Sequence, residues 1–223
     1  MPHMIRNFPR PSAAVLVGLA KHGSATVHEA MGRIGAMDSA IKPLARGMKI
    51  CGPAFTVQAQ PADNLMVLKA IKEASPGDVI VVNFGRIINS GPYGEMTALE
   101  CKTKGLGGFV TTGSVRDSAE IIGMEFPVFS AGISIVGTVK ESIGSINHPI
   151  TAGDVIVRPG DIILGDDDGV VVIPLERAEE ALKKSDERVA KENSVMEKLR
   201  NGASIFDLYG YQAVLDRHGW TEE

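Results

Sequence analysis

The 223-residue chain lacks several features that mark particular classes of protein. No apolar stretch approaches the roughly 20 residues that a membrane helix requires, and residues 1–11 lack the apolar core of a signal peptide. Lysines and arginines form no run, and the formal net charge is -4, which argues against a nucleic-acid-binding surface. We therefore expect a cytoplasmic protein whose partner is a small molecule, with no nucleic acid and no membrane.

Cysteine is scarce, and histidine shows no catalytic spacing. Cys51 and Cys101, the only two cysteines, have neither Cys-x-x-Cys spacing nor a zinc-ligand cluster around them, so we expect reduced, buried thiols. His28, His148 and His218 are not spaced as a zinc triad or a Ser–His relay. The sequence thus offers no cysteine nucleophile and no zinc site.

The residues that are present predict one α/β domain over residues 1–223. With 44% apolar and 22% charged residues, the chain can bury one substantial core. Residues 79–82 and 108–112 read as buried strands, each followed by a loop and a helix. Short strands with turn signals between residues 138 and 174 predict an antiparallel β layer, in which the acidic run 166–168 is a solvated hairpin turn rather than a calcium loop.

Two helices near the termini carry acidic residues of interest. Thr26 and Glu29 have the spacing of a capping box, which would give Glu29 a structural role. The last long helix, residues 175–200, has an inward stripe in which Glu192 stands where an apolar residue is expected. A carboxylate on a packing face needs a cation or strong donors; alternatively, Glu192 lies on an exposed part of the stripe.

Two loops combine residue types that suit the binding of an anion and a metal. Gly94-Glu95-Met96-Thr97 begins a helix after a buried strand, which leaves backbone N–H groups free to hold a carboxylate. Arg116 and Asp117 follow the next strand, at the sheet edge where α/β proteins commonly bind ligands. Asp117 offers oxygen to Mg²⁺ or Mn²⁺, and Arg116 can stabilise an enolate; the alternative is a surface ion pair with Asp117 capping a helix.

Glu95, twenty intervening residues and then Arg116-Asp117 resemble the acidic residue and Arg-Asp pair of the class II pyruvate aldolases. Further motifs appear in the order shown by the branch that cleaves 4-carboxy-4-hydroxy-2-oxoadipate and 4-hydroxy-4-methyl-2-oxoglutarate. These motifs are Ala25-Thr26-Val27-His28-Glu29-Ala30, Asp63-Asn64, Gly137-Thr138-Val139-Lys140, the segment 166–172 and Asp207-Leu208-Tyr209-Gly210. The resemblance spans about residues 25–210.

The resemblance implies a fold, an assembly and a metal site. The fold is an RraA-like α/β/α layered domain of the swivelling type, with a mixed β core and a long C-terminal helix, assembled as a homotrimer or homohexamer. Asp117 would bind Mg²⁺ or Mn²⁺ directly, whereas Glu95, and Glu192 from a neighbouring subunit, would act through water. Arg116 would contact the pyruvoyl carbonyl, and the amides near Glu95, Met96 and Thr97 its carboxylate.

Asn64, Lys140 and Glu29 would occupy the periphery of this site. Each also has a structural alternative: Asn64 completes a helix start after Asp63, Lys140 is a solvated cation at a strand end, and Glu29 only completes its capping box. The resemblance also places His148 near the distal end of the substrate. The chain departs from the branch at Glu95, where relatives commonly carry aspartate, so the metal preference and the substrate are less closely defined than the reaction.

The implied reaction is retro-aldol cleavage of a 4-hydroxy-2-oxo acid to pyruvate and a second oxo acid, in aromatic-acid catabolism, with oxaloacetate decarboxylation as a side activity. A divalent cation stabilises the pyruvate enolate electrostatically, whereas lysine enzymes use a Schiff base. Several acids, one arginine and no lysine motif in an apolar pocket favour the metal. The same superfamily contains regulators of ribonuclease activity, so a non-catalytic protein-binding regulator is the alternative.

Overall fold

The computed structural model describes residues 3–223, and at its centre is a mixed β-sheet. The strands are β1 (Lys42–Pro43), β2 (Ile50–Gln58), β3 (Val79–Asn83), β4 (Gly108–Val115), β5 (Val128–Ile133), β6 (Ser145–Ile146), β7 (Ile150–Ala152), β8 (Val155–Val157), β9 (Ile162–Asp166) and β10 (Gly169–Ile173). The helices are α1 (Ala13–Leu19), α2 (Ser24–Ala30), α3 (Leu65–Glu73), α4 (Glu95–Thr103), α5 (Ser118–Gly123), α6 (Ala178–Arg200), α7 (Ile205–Leu208) and α8 (Gln212–Arg217), with a 3₁₀ turn at Leu175–Arg177.

The predicted alternation of strands and helices is confirmed. Strands β2, β3, β4 and β5 are neighbours and run parallel, joined by helices α3, α4 and α5. Parallel neighbours need such crossovers because the chain must return to the same edge of the sheet before the next strand begins. The loops after β3 and β4 consequently emerge at one edge of the sheet, the arrangement that the candidate site requires.

The predicted antiparallel region completes the sheet and almost closes it. The β9–β10 hairpin turns at residues 166–169, as expected, and β9 adds antiparallel to β2. The short strand β1 pairs antiparallel with β5 at the other end. Lys42 Nζ donates to the Asp168 carbonyl at 2.5 Å, which brings the two ends of the sheet together. The result is a mixed, nearly closed sheet with a long C-terminal helix.

The strands bury both faces, as their continuous aliphatic runs predict. Val79 and Val81 of β3 face an inner core beneath the β7–β8 hairpin, whereas Ile80 and Val82 face an outer core with helices α3 and α4. A third cluster joins helices α1, α2 and α6 to strands β9 and β10. Helices therefore cover two parts of the outer surface, and the nearly closed sheet encloses the inner core.

The predicted capping box of Thr26 and Glu29 is wrong. Helix α2 begins at Ser24, and its first turn is held by Asp166 of the β9–β10 hairpin, which accepts from the Ser24 amide at 2.7 Å and from its hydroxyl at 2.6 Å. The acidic turn 166–168 is thus not only a solvated loop, because its first residue, Asp166, caps helix α2. Glu29 lies in the last turn of α2 and contacts Arg33 at 3.1 Å.

The inward stripe expected along α6 ends before Glu192. The buried residues of this helix are Ala178, Ala181 and Ser185, and none beyond Ser185 is buried. Glu192 is half exposed and contacts Arg188 Nε at 2.7 Å. Of the two alternatives that the sequence left open for Glu192, the structure has the exposed one, because the second half of α6 buries no residue; its role in the site of a neighbouring subunit stays a prediction.

The two thiols lie in apolar surroundings. Cys101 is buried, Cys51 is partly buried, and both are free. Burial raises the pKa of Cys51 to about 11 and is the largest cause of the rise in the pKa of Cys101 to about 12. Both thiols therefore stay protonated near neutral pH and are poor nucleophiles.

Among the residues that the structure describes, no helix combines the length and apolarity needed to cross a bilayer. The prediction that residues 1–223 form a single domain stays a prediction.

We expect Asp78→Ala to destabilise the fold by about 2–4 kcal/mol, because it leaves a buried interaction without one partner. The fully buried Asp78 carboxylate pairs with the Arg10 guanidinium, with one Nη2–Oδ2 distance of 3.0 Å, and accepts from the Ser75 amide at 2.9 Å. The free energy of unfolding in urea measures the effect. Arg6→Ala, which removes an exposed pair with Glu73, is the control and should change little; equal losses in both variants would contradict the assignment.

Candidate active site

The loops that follow β3 and β4 meet around a cleft of about 320 Å³. The lining includes seven residues predicted for the site: Asn64, Gly94, Met96, Thr97, Arg116, Asp117 and Lys140. It also includes Leu68, Gly91, Pro92 and Thr138, which the sequence analysis did not assign. Four segments, which follow β2, β3, β4 and β5, therefore converge at the carboxyl ends of neighbouring parallel strands, where α/β sheets commonly bind ligands.

Asp117 adopts an unusual backbone conformation at the centre of the cleft. Its φ of 52° and ψ of 43° lie in the left-handed region, which a residue other than glycine seldom occupies. The side chain does not cap α5, the helix that it precedes. Instead, Asp117 Oδ2 accepts from the Glu95 amide at 3.1 Å, at the start of α4. The simple alternative of a capping aspartate is thus excluded, and the carboxylate is directed into the cleft.

Gly94 makes room for this carboxylate. A Cβ added at Gly94 would lie 2.4 Å from Asp117 Oδ2 and 3.0 Å from Arg116 Cγ, which is closer than nonbonded atoms approach. Its backbone φ of -153° is ordinary, so the requirement for glycine here is one of space. Any larger residue at this position would displace the Arg116–Asp117 pair.

Arg116 is fixed through its backbone, and its guanidinium lies beside the aspartate. The Arg116 amide donates to the Tyr93 carbonyl at 2.8 Å. The side chain is about half exposed, and Nε lies 3.5 Å from Asp117 Oδ2. At this distance the aspartate attracts and orients the guanidinium, but most of the guanidinium N–H donors remain available to a ligand. The cleft therefore has a permanent cation beside an acidic oxygen donor.

The first turn of α4 adds backbone donors. Thr97 Oγ1 accepts from the Gly94 amide at 2.9 Å and donates to the Gly94 carbonyl at 2.7 Å, which fixes the turn. The first N–H groups of an α-helix have no partner within the helix. Asp117 takes that of Glu95, and those of Met96 and Thr97 remain at the helix end, where an anion is favoured.

Asn64 contributes a polar atom that has no partner in the protein. Its Nδ2 donates to the Pro92 carbonyl at 3.1 Å, whereas its Oδ1 is buried and without a hydrogen bond. A buried acceptor left unpaired costs roughly 1–3 kcal/mol, so such an atom in a cleft is a sign that a ligand donor or a water meets it. Asn64 does not complete the helix start with its side chain, since Asp63 Oδ1 accepts from the Leu65 amide.

Asp63 joins two walls of the cleft. Its buried carboxylate accepts from the Leu65 amide at 2.9 Å and, through Oδ2, from the amides of Glu141 at 2.8 Å and Ser142 at 2.6 Å. Burial by itself raises the pKa of Asp63. The backbone donors lower the pKa by a larger amount, so the pKa of Asp63 lies below its ordinary value. Asp63 thereby holds Asn64 next to the loop of Lys140. From the sequence we expected Asp63 only to precede a helix start; the motifs 63–64 and 137–140 were the one sign that these two segments belong to the same site.

The three glutamates predicted for the site lie elsewhere in the chain or point outward. Glu95 is exposed at the start of α4, and its side chain is not part of the cleft lining. Glu29 and Glu192 lie on another face, where Arg188 contacts both, at 3.6 Å and 2.7 Å. Among residues 3–223, no group of three or more His, Cys, Asp or Glu side chains is placed to hold a metal. Of the carboxylates predicted to act at the metal, only Asp117 therefore lines the cleft within one chain.

His148 does not line the cleft. Its carbonyl accepts from Thr56 Oγ1 at 2.6 Å, next to strand β2. Its predicted contact with the distal end of a substrate stays a prediction.

A single carboxylate is compatible with a hard cation. Mg²⁺ usually keeps several waters and takes one or two protein carboxylates together with oxygens of the substrate. Asp117 supplies one carboxylate, in a space that Gly94 keeps open, and the nearby Oδ1 of Asn64 is unpaired. The residues present therefore fit Mg²⁺ or Mn²⁺ held jointly by Asp117 and a ligand.

The protein is thus a mixed α/β protein with an Arg–Asp pair beside a helix start. Comparison with known sequences shows which family it belongs to. The family model RraA-like, described as Aldolase/RraA, matches residues 24–172. A protein of Halalkalibacterium halodurans with the provisional name 4-hydroxy-4-methyl-2-oxoglutarate aldolase is 41% identical over 168 residues, which are 75% of this chain and 80% of the relative. The chain belongs to the RraA-like family.

Solved structures support the same fold. An uncharacterised protein of Pseudomonas syringae aligns with a TM-score of 0.81 at 24% identity, over 89% of this chain and 93% of that one. RraAS2 of Streptomyces coelicolor, described as an unusual member of the RNase ES inhibitor RraA family, aligns with a TM-score of 0.75 at 29% identity, over 84% of this chain and 100% of its own. Family membership thus includes relatives named for catalysis and for inhibition.

The depressed pKa of Asp63 predicts a pH-dependent contribution to stability. A carboxyl whose pKa is lower in the folded state stabilises the fold above its unfolded pKa of about 3.9, and this contribution is lost as the pH falls through the folded value. We expect Asp63→Asn to be less stable than the wild type at pH 7, with the difference shrinking below about pH 4. Urea unfolding at a series of pH values measures it. A difference that is constant from pH 7 to pH 3 would contradict this role.

Proposed function

We propose that this protein is a divalent-metal-dependent lyase that cleaves a 4-hydroxy-2-oxo acid to pyruvate and a second oxo acid. The observation that carries the proposal is the Arg116–Asp117 pair, turned by a left-handed backbone towards the start of α4. A strained conformation of this kind persists where the surroundings determine it, and it is concentrated at functional sites. The relative named as an aldolase supports the same reaction class.

The groups of the cleft match the two ends of a 2-oxo acid. The N–H groups of Met96 and Thr97 suit the C1 carboxylate, because a helix start favours an anion. The Arg116 guanidinium suits the 2-oxo oxygen, on which negative charge develops as the C3–C4 bond breaks. Mg²⁺ or Mn²⁺ on Asp117, when bound, would supply further electrostatic stabilisation of that charge.

The reaction balances with groups of this kind. A water in the cleft takes the proton of the C4 hydroxyl, the C4 oxygen forms a carbonyl, and the electron pair of the C3–C4 bond passes into the enolate of pyruvate. A proton returned to C3 completes pyruvate. Asn64 and Lys140, which lie on neighbouring segments of the cleft wall, would orient the C4 hydroxyl and bind a distal carboxylate. Loss of carbon dioxide from oxaloacetate passes through the same enolate and is the expected side activity.

We also propose that a second copy of the chain completes the site, in a homotrimer or homohexamer. Glu192 projects from the free half of α6, and Arg188 links it to Glu29 on the same face. Both carboxylates are therefore exposed together on a surface separate from the cleft, as a contribution to a neighbouring subunit requires. Glu95, at the rim of the cleft, would join them around the cation through water.

The substrate is defined as a class. Branched hydroxy-oxo acids such as 4-carboxy-4-hydroxy-2-oxoadipate and 4-hydroxy-4-methyl-2-oxoglutarate share the pyruvoyl end and differ only at C4, away from Arg116. A second candidate function is protein-binding inhibition of a ribonuclease, which the Streptomyces relative favours. A regulator of that kind would need neither the unpaired Asn64 oxygen nor the space kept by Gly94.

Asp117→Asn should abolish metal-stimulated pyruvate release, reducing it by about a thousandfold or more, because asparagine tolerates the left-handed backbone but lacks the charge. Arg116→Ala should reduce the rate by roughly 100- to 1000-fold through loss of enolate stabilisation. Initial rates of pyruvate formation, with circular dichroism of each variant, measure both effects.

The matched control is Glu120→Gln, an exposed carboxylate in the first turn of α5, three residues after Asp117. It should keep the wild-type rate. Normal turnover by Asp117→Asn would rule out the assignment of the metal position.

Removal of the metal distinguishes catalysis from regulation. Pyruvate formed from a hydroxy-oxo acid is followed by its reduction with lactate dehydrogenase, with Mg²⁺ and again with EDTA. If the protein is the lyase, NADH should be oxidised only in the presence of the cation, because only then does lactate dehydrogenase receive pyruvate, and re-addition of excess Mg²⁺ or Mn²⁺ should restore the rate. No pyruvate under either condition, over a panel of branched hydroxy-oxo acids, would favour the regulator.

A further inference from the structure

A second and larger cavity, of about 420 Å³, lies inside the mouth of the nearly closed sheet. We call it the inner cavity; its lining is Asp38, Ala40, Ile41, Asn83, Gly85, Arg86, Ile88, Thr112, Ala131, Thr151, Gly153 and Asp154. It shares no lining residue with the Arg116–Asp117 cleft. The two spaces lie on either side of the loop 85–94, which contributes to both linings.

Strand periodicity explains why the inner cavity exists. Side chains two residues apart on a strand point to the same face. Val81, Val110 and Phe129 fill the inner core with apolar volume, and the next inward positions on the same three strands are occupied by residues 83, 112 and 131. Asparagine, threonine and alanine at these positions are too small to continue the packing, so a space remains above the core.

The polar groups at the inner end of this cavity already have hydrogen-bond partners within the protein. Asn83 Nδ2 donates to Gln58 Oε1 at 2.9 Å, and Thr112 Oγ1 donates to Asn83 Oδ1 at 3.2 Å. The Phe84 amide in turn donates to Thr112 Oγ1 at 2.9 Å. Because these polar groups satisfy one another, the exposed lining there is left to methyl groups and to Ile41 and Ile88. An apolar body is favoured at this end.

The mouth of the inner cavity carries net negative charge. The Arg86 guanidinium pairs with Asp154 through Nη2 and lies 3.6 Å from Asp38 Oδ2. The two carboxylates lie on adjoining turns, since the Asp38 amide donates to the Gly153 carbonyl at 2.8 Å. Two carboxylates and one guanidinium sum to a charge of about -1, which attracts a cation and repels a carboxylate. The oxo acids proposed for the Arg116–Asp117 cleft are therefore unsuited to this space.

We propose that the inner cavity is a second ligand site, which binds a small amine with a compact apolar body. The apolar body lies against Ile41, Ile88 and Ala131, and the ammonium group lies at the mouth, on the outer side of the carboxylates of Asp38 and Asp154, which Arg86 neutralises only in part. This site does not depend on the lyase reaction, because the cleft and the inner cavity have separate walls.

Three probes that share a phenyl ring and differ in charge test the ligand class. Binding of 2-phenylethylamine, 2-phenylethanol and 3-phenylpropionate to the full chain is measured by calorimetry and by NMR shifts of isoleucine methyl groups. We expect the amine to bind about two- to fivefold more tightly than the alcohol, and the carboxylate to bind most weakly. Tighter binding of the carboxylate, or no binding of any probe up to about 10 mM, would overturn the proposal.

Variants place the probe in the cavity. Ala131→Leu fills the space and should weaken amine binding by about tenfold or more. Asp154→Asn, at an exposed turn, should weaken the amine by about two- to fivefold without weakening the alcohol, and it keeps the test decisive if Ala131→Leu does not fold. Asp117→Asn, in the separate cleft, should bind the amine like the wild type. Unchanged binding to both cavity variants, or loss of binding in Asp117→Asn, would show that the amine binds elsewhere.

Discussion

The candidate site depends on one backbone conformation, the left-handed turn at Asp117. With an ordinary helical or extended φ, the side chain of a residue just before a helix would cap that helix, as aspartate commonly does. The left-handed conformation instead presents Asp117 Oδ2 to the Glu95 amide and places it beside the Arg116 guanidinium. Gly94 leaves the required space, and the parallel strands β3 and β4 bring the two loops together.

Hydrogen bonds to the backbone join the remaining walls of the cleft to one another. Asp63 fastens the start of α3 to the loop of Lys140, and Asn64 reaches the carbonyl of Pro92. These contacts leave Asn64 Oδ1 unpaired in a cleft that also contains the Arg116 guanidinium and the Asp117 carboxylate. An arrangement of this kind is preorganised for a ligand with several oxygens, which supports an oxo acid better than a protein surface.

Local patterns predicted the elements of the fold, whereas contacts between distant segments were beyond them. The aliphatic run 79–82 and the Gly-Glu helix start at residue 95 are properties of neighbouring residues, and the structure has both. The capping box at Thr26 and Glu29 failed because Asp166, 142 residues after Ser24, satisfies the first turn of α2. A sequence pattern records which residues could cap a helix but not which distant carboxylate reaches it.

The same limit applies to the site. The convergence of residues 94–97 with Arg116 and Asp117 followed from the order of parallel strands, and the peripheral residues entered only through resemblance. The stripe of α6 left open whether Glu192 packs inward or lies exposed, and in the structure no residue of α6 beyond Ser185 is buried. Periodicity shows which face of a helix is apolar, but it does not show where the neighbouring surface ends. The inner cavity likewise depends on three strands whose alignment only the sheet register reveals.

The proposed lyase reaction requires Asp117 to hold a divalent cation next to Arg116. Anomalous diffraction from crystals grown with Mn²⁺ and oxalate, which mimics the planar oxygens of pyruvate enolate, tests it most directly. We expect a manganese peak about 2.0–2.3 Å from an Asp117 carboxylate oxygen, with oxalate reaching both the cation and the Arg116 guanidinium. A manganese ion bound away from Asp117, or a cleft that takes up oxalate without the cation, would contradict it.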